Sequence, residues 1–146
     1  MPDHVFFYGT LMSPFNRPGR LRITPKLSFT GRGSIRAALF DLGIYPAAVP
    51  ADDQSLVWGE VYETLDAAAV LAALDEIEGY RPSEPDRSLY TRILTDVTLE
   101  DGRAEQAWAY FYNAPLGRAQ RIASGDYLEH LNGPRGLSPS KERRGD

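Results

Sequence analysis

Cysteine is absent from the 146 residues, which excludes disulfide bridges, thiolate metal sites and a cysteine nucleophile together. Histidine is nearly absent too. His4 and His130 are the only imidazoles, and two residues so far apart in sequence read as surface or capping groups, so no metal site is expected. The nucleophile elbow Gly-x-Ser-x-Gly and the phosphate loop ending Gly-Lys-Ser/Thr do not occur. Gly31-Arg32-Gly33 is too short and too isolated to suggest a dinucleotide. Charge of one sign is also lacking in bulk: a net −4 on a mixed surface argues against nucleic acid as a partner. Long hydrophobic runs are missing as well. The apolar stretch Val5 to Tyr8 is too short for a signal peptide or a membrane span, so a cytoplasmic protein without a membrane partner is expected. What remains for chemistry is carboxylate, hydroxyl and backbone groups, with no cofactor implied.

The length fits one domain with a core of ordinary size. That domain reads as residues 1–132, because 133–146 combine Gly, Pro and Ser with the chain's one basic concentration, Arg135 to Arg144, a composition expected to be disordered. His4 to Tyr8 is rich in β-formers and reads as a buried strand stopping at Gly9. Lys26 to Thr30 and Ser34 to Asp41 read as two strands separated by Gly31 and Gly33. Tyr45 to Pro50 is broken at both prolines. Leu56 to Thr64 alternates as a strand should. Asp66 caps an alanine-rich segment running to Glu78, the one strong helix. Leu89 to Leu99 and Ala104 to Tyr112 pair through the turn Asp101-Gly102, and aromatic residues on both faces of the second imply a covered strand. Ile122 to Leu131 reads as a short terminal helix or turn. The expectation is an α+β fold, a small mixed β-barrel-like sheet with a flanking helix.

Within that helix, Glu78 is out of place. At roughly 100° per residue, Val70, Leu71, Leu74 and Ile77 share one face and Glu78 falls within the same arc, whereas Asp75 and Glu76 lie outside it and can be solvated. Gly79 reads as the residue just past the helix end. An acid beside the negative C-terminus is destabilising by about 0.3 to 1 kcal/mol. Two local rules fail at one residue, which marks a candidate site. The alternative is that the helix end splays to let Glu78 reach water, or that Arg81 or Arg92 pairs with it.

Further candidates are weaker. Gly9 closes the first strand within Tyr8-Gly9-Thr10-Leu11, and a turn there can aim successive backbone N–H groups at an anion or a developing oxyanion. Tyr110 and Tyr112 alternate with Phe111 and line either a pocket or the core. Tyr90 and Arg92 share a strand face, where Arg92 binds a carboxylate or pairs on the surface. Trp58 reads as packing.

Three blocks together resemble the γ-glutamylcyclotransferase-like family, especially the branch of γ-glutamylamine cyclotransferase and the AIG2-like proteins. Val5-Phe6-Phe7-Tyr8-Gly9-Thr10-Leu11 is similar to its Tyr-Gly-Ser/Thr signature, and Val57-Trp58-Gly59-Glu60-Val61-Tyr62 to its Val-x-Gly-x-Val-Tyr strand. Leu74-Asp75-Glu76-Ile77-Glu78-Gly79 resembles its Leu-Asp-x-x-Glu-Gly block, followed by Tyr90-Thr91-Arg92. The resemblance covers roughly residues 4 to 113.

It implies a small β-barrel with flanking helices, a catalytic glutamate at Glu78, and a glutamyl group held by the loop Tyr8 to Leu11; Tyr90, Arg92 and Tyr110 stand beside these as substrate-binding candidates read from the strand pattern. It also implies a small-molecule partner, a γ-glutamyl amine or peptide. The substrate's own α-amino group attacks its γ-carbonyl, releasing 5-oxoproline and an amine, so that no protein nucleophile, metal or cofactor is required. Glu78 handles the protons, a role that favours a pKa above that of a free glutamate. The stretch Arg81 to Leu89 is long for the family and is expected to shape the pocket mouth. Two rivals share these residues: a non-catalytic module binding a small ligand in the same fold, and hydrolysis by a Glu-activated water. Oligomeric state and leaving group stay open.

Overall fold

The computed structural model describes residues 3–9, 11–12, 20–43, 45–51 and 54–132. Thr10 and the expected tail, 133–146, lie outside the described residues.

Five strands close a barrel in the order β1 (His4–Phe7), β5 (Leu56–Thr64), β2 (Leu27–Arg36), β6 (Tyr90–Leu99), β7 (Ala104–Tyr112). β1 runs antiparallel to β5 and parallel to β7, so this short strand makes the closure mixed. The β6–β7 hairpin pairs from Tyr90↔Tyr112 to Thr98↔Ala104. Its turn is held by Asp101, whose carboxylate accepts from the Arg103 N–H at 3.0 Å. A second sheet of three short strands, β3 (Ala38–Asp41), β4 (Pro46–Val49) and β8 (Gln120–Arg121), has the order β4-β3-β8.

Alternation along β5 places Val57, Gly59 and Val61 inside, with Trp58 and Glu60 only half-buried. The core joins these valines to Val5 and Phe6 of β1, Val97 and Leu99 of β6, and Ala107 and Ala109 of β7. Helix α2 (Ala67–Glu78) closes over the same cluster through buried Val70 and Leu74. Asp66 caps it by accepting from the Ala69 N–H at 3.2 Å. Gly79 ends it in the left-handed region, φ 69° and ψ 34°, the usual place for glycine past a helix.

Among the shorter helices, α1 (Arg20–Ile23) leads into the 3-10 turn Thr24–Lys26, and the short α3 (Tyr127–Asn132) follows β8. No helix among the described residues is long and apolar enough to cross a membrane.

Three expectations change. The two strands expected around Gly31 and Gly33 are one continuous β2, because a register shift against β5 between Phe29 and Gly31 absorbs the glycine step. The break falls instead at Ala37. The proline-bounded segment expected to be irregular carries β4, which is an edge strand beginning at Pro46, where a missing N–H is tolerated. Helix α1 has no counterpart in the sequence reading.

Candidate active site

The end of α2, the end of β1 and the β3–β4 connection meet around one half-open pocket. It holds about 370 Å³ of unfilled space, the open solvent at its mouth included. Tyr8, Gly9 and Leu11 come from the first strand and its loop, Tyr45 and Pro46 from the approach to β4, Glu78 from the helix, and Tyr90 and Tyr110 from the hairpin. Glu78 is half-buried and sits in the wall of this pocket, as its place on the apolar face of α2 requires.

Three phenols are held in position by their own protons. Tyr8 donates to the Tyr110 carbonyl at 2.6 Å and accepts from the Ala48 N–H at 3.3 Å. Tyr90 donates to the Pro46 carbonyl at 3.1 Å. Tyr110 donates to Asp75 Oδ1 at 2.6 Å. Burial raises the Tyr8 pKa well above its usual value, reinforced by Tyr90 and by the charge of Glu78 and partly opposed by the Ala48 N–H. Burial likewise raises Tyr110, together with its bond to Asp75 and that carboxylate's charge, while Arg92 works the other way. Both hydroxyls therefore stay neutral at physiological pH.

Asp75 corrects the sequence reading. Expected to be solvated, its side chain is only 13% exposed and lies 2.9 Å from the Arg92 guanidinium. Arg92 in turn lies between two rings, 5.6 Å from the centroid of Tyr80 and 5.2 Å from that of Trp108. A helical position judged only by its angle missed a partner arriving from another element: Arg92 pairs with Tyr110 across the β6–β7 ladder, directly beneath the helix end. Arg92 does not appear among the pocket-lining residues; it reaches the pocket through Asp75 and Tyr110. Glu76, as expected, is exposed, its side chain at 81%.

The loop after Tyr8 is fixed from two sides. The Met12 N–H donates to the Gly9 carbonyl at 3.0 Å, closing a turn. Gly9 is not among the left-handed glycines; it is needed because a Cβ there would lie 2.7 Å from Pro46 Cγ. From below, buried Arg20 donates from Nε to the Leu11 carbonyl at 2.9 Å while its guanidinium lies 5.6 Å from the Phe7 ring centroid. No sequence motif pointed to Arg20, since its only signal was an arginine after an irregular stretch.

The remaining candidates separate. Tyr8, Gly9, Leu11, Tyr90, Tyr110 and Glu78 come together, and Thr10 lies outside the described residues. Tyr112 packs edge-on against Tyr90, with centroids 5.3 Å apart. Trp58 lies under the Arg32 guanidinium at 4.8 Å, away from this pocket. Of the loop Arg81 to Leu89, Leu89 lines a hollow that Glu78 also borders; Ser88 ties the rest together by accepting from the Arg81 N–H at 2.7 Å and donating to the Glu84 carbonyl. No group of three or more potential metal ligands occurs among the described residues.

The pocket thus joins phenols, the rings of Phe6 and Phe7, Pro46 and the first-strand loop to one acidic residue, Glu78. A family model described as gamma-glutamyl cyclotransferase, AIG2-like, matches residues 5–129, and the chain belongs to that family. It is 31% identical over 131 residues to MJ1514 of Methanocaldococcus jannaschii, a protein whose name assigns it provisionally to γ-glutamylcyclotransferase, with 88% of this chain and 98% of the relative covered. The γ-glutamylcyclotransferase family protein YtfP of Escherichia coli is 32% identical over 126 residues, covering 86% and 96%. The crystal structure of a mouse AIG2-like protein superposes with a TM-score of 0.64 at 25% identity over 97% of this chain and 99% of that one.

Proposed function

We propose that the protein is a γ-glutamyl cyclotransferase acting on a γ-glutamyl amine or peptide, with Glu78 as general acid and base. The observation that carries this reading is Glu78 as the one acidic residue lining a pocket whose other walls are tyrosines, Phe6, Phe7, Pro46, Gly9 and Leu11. Such a pocket suits a substrate that contains its own nucleophile, because all the protein must supply is a folded geometry and a proton carrier.

Glu78 takes a proton from the α-ammonium as the nitrogen lone pair attacks the γ-carbonyl carbon. It then hands a proton to the leaving nitrogen as the amide C–N bond breaks, and a second proton moves the same way. The lactam keeps one N–H and the amine departs as an ammonium, so protons balance. Backbone N–H groups of the loop from Gly9 to Leu11 hold the α-carboxylate or the developing oxyanion. Tyr8, Tyr90 and Tyr110 keep the glutamyl chain bent.

The test is 5-oxoproline release, followed by mass spectrometry, from a panel of γ-glutamyl amides with the parent protein and Glu78→Gln. Release by the parent and a fall of roughly 100-fold or more in the variant is expected. Free glutamate in place of 5-oxoproline would mean hydrolysis, and equal rates would remove Glu78 as the base. Saturable binding with no product at all would leave a binding module.

A further inference from the structure

Glu78 borders two hollows. Besides the pocket just described, a second one with about 450 Å³ of unfilled space out to its mouth is lined by Ile77, Gly79 and Leu89, and shares Tyr45, Glu78 and Tyr90 with the first. Because both hollows share Glu78, a ligand occupying the two would lie against this residue. Building on the cyclotransferase reading, we propose that the second hollow receives the leaving group, and that the substrates are γ-glutamyl amides whose amine carries an uncharged, apolar substituent of aryl or branched-alkyl size.

The chemistry of the wall supports this. No lysine or arginine lines either hollow among the described residues. Arg81 and Arg87, which precede Leu89 in the chain, flank Glu84 at 3.7 and 3.2 Å, Arg92 holds Asp75, and Arg20 beside the first pocket is turned to the Leu11 carbonyl and the Phe7 ring. A leaving group bearing a carboxylate, as in a γ-glutamyl dipeptide, would be desolvated there without a positive partner. One bearing a second ammonium would find only Glu78, which the reaction occupies. Leu89 and Tyr45, by contrast, offer apolar surface to a ligand, being 51% and 40% exposed. Leu89 is exposed although its backbone is fixed at both ends: its N–H donates to the Gly79 carbonyl at 3.3 Å and its carbonyl accepts from Asn113 at 2.8 Å. Leu89 and Tyr45 thus add apolar surface to the wall of a hollow that Glu78 also borders.

Specificity is measured as kcat/KM for 5-oxoproline release from γ-glutamyl benzylamide, γ-glutamylglycine and γ-glutamyl-ε-lysine. The benzylamide is expected to exceed both others by roughly tenfold or more, and Leu89→Lys to erase or invert its advantage over γ-glutamylglycine while leaving the fold intact, as judged by circular dichroism. Equal or reversed preference in the parent overturns the proposal while leaving the cyclotransferase reading in place. Calorimetric titration of Glu78→Gln with the same three compounds repeats the comparison without turnover. Selective binding of the benzylamide with no turnover by the parent would overturn the cyclotransferase reading and with it the leaving-group assignment, keeping only the apolar preference of the hollow; binding of none of the three would overturn that preference as well.

Discussion

Tyr110 and Asp75 form the joint between the pocket and the helix that carries Glu78: the phenol donates to Asp75 Oδ1 at 2.6 Å, and Arg92 holds the same carboxylate at 2.9 Å. Because the Tyr110 carbonyl also accepts from Tyr8, displacement of the helix end is transmitted to two pocket residues. Asp75 lies three residues before Glu78, so this joint also anchors the last turn of the helix that carries it.

Replacing Asp75 with Asn should therefore act on both stability and the site. Arg92, 21% exposed, would lose its counter-charge. Breaking a buried pair by removing one partner costs roughly 3 to 5 kcal/mol, and partial exposure reduces this to on the order of 2 kcal/mol. Urea unfolding of Asp75→Asn, Arg92→Met and the double variant checks it: the double should be less destabilised than the sum of the singles. Simple additivity would mean that the pair is not coupled.

A Gly9→Ala substitution should reshape the first pocket. The new Cβ would meet Pro46 Cγ at 2.7 Å and Cδ at 3.1 Å, and the ring is stiff while its carbonyl anchors Tyr90. Overpacking of this kind costs about 1 to 3 kcal/mol. A lower Tm together with weakened binding of γ-glutamyl ligands is the expected result; unchanged affinity would show that the loop from Gly9 to Leu11 does not contact them.

The buried phenols make stability sensitive to alkali. Tyr8 and Tyr110 have folded-state pKa values raised above the ordinary tyrosine value, chiefly by burial. A group raised in the folded state contributes its full stability below its unfolded pKa, about 10, and that contribution is lost as pH rises beyond it. The unfolding free energy should thus fall above about pH 10. Tyr8→Phe should flatten that fall, although it lowers stability at neutral pH by leaving the Tyr110 carbonyl and the Ala48 N–H without their phenol partner. Denaturant titrations of the parent and of Tyr8→Phe across that range would show it.

The barrel strands β1, β5, β6 and β7 and helix α2 were legible from local pattern, whereas β2 was read as two strands because its glycines were taken for a break. Alternation along Leu56 to Thr64 and the alanine-rich stretch after Asp66 each agree with burial in the folded chain. Glu78 was legible for the same reason, as an exception to the period. Asp75 and Arg20 were not. The angle of Asp75 on its helix predicts water, and its burial depends on Arg92, 17 residues away. Arg20 is buried against aromatic rings and the Leu11 carbonyl, contacts that no spacing rule encodes. The β4 segment was misread because a proline forbids only interior pairing, and whether a strand lies at an edge is decided by its neighbours.

By itself, then, the sequence determined which chemistry was available. Without cysteine, and with only two histidines far apart, the absence of nucleophile and phosphate motifs left a carboxylate against a hydrophobic face, and composition and period are properties of the chain alone. The tertiary structure decided which groups act together. It committed Arg92 to Asp75 instead of the pocket, set Tyr110 by a bond to the helix, and placed Leu89 and Tyr45 across from each other beside Glu78. Those pairings join residues tens of positions apart, and they form because closing the barrel brings the helix end down onto the β6–β7 hairpin, a geometry that no local stretch specifies.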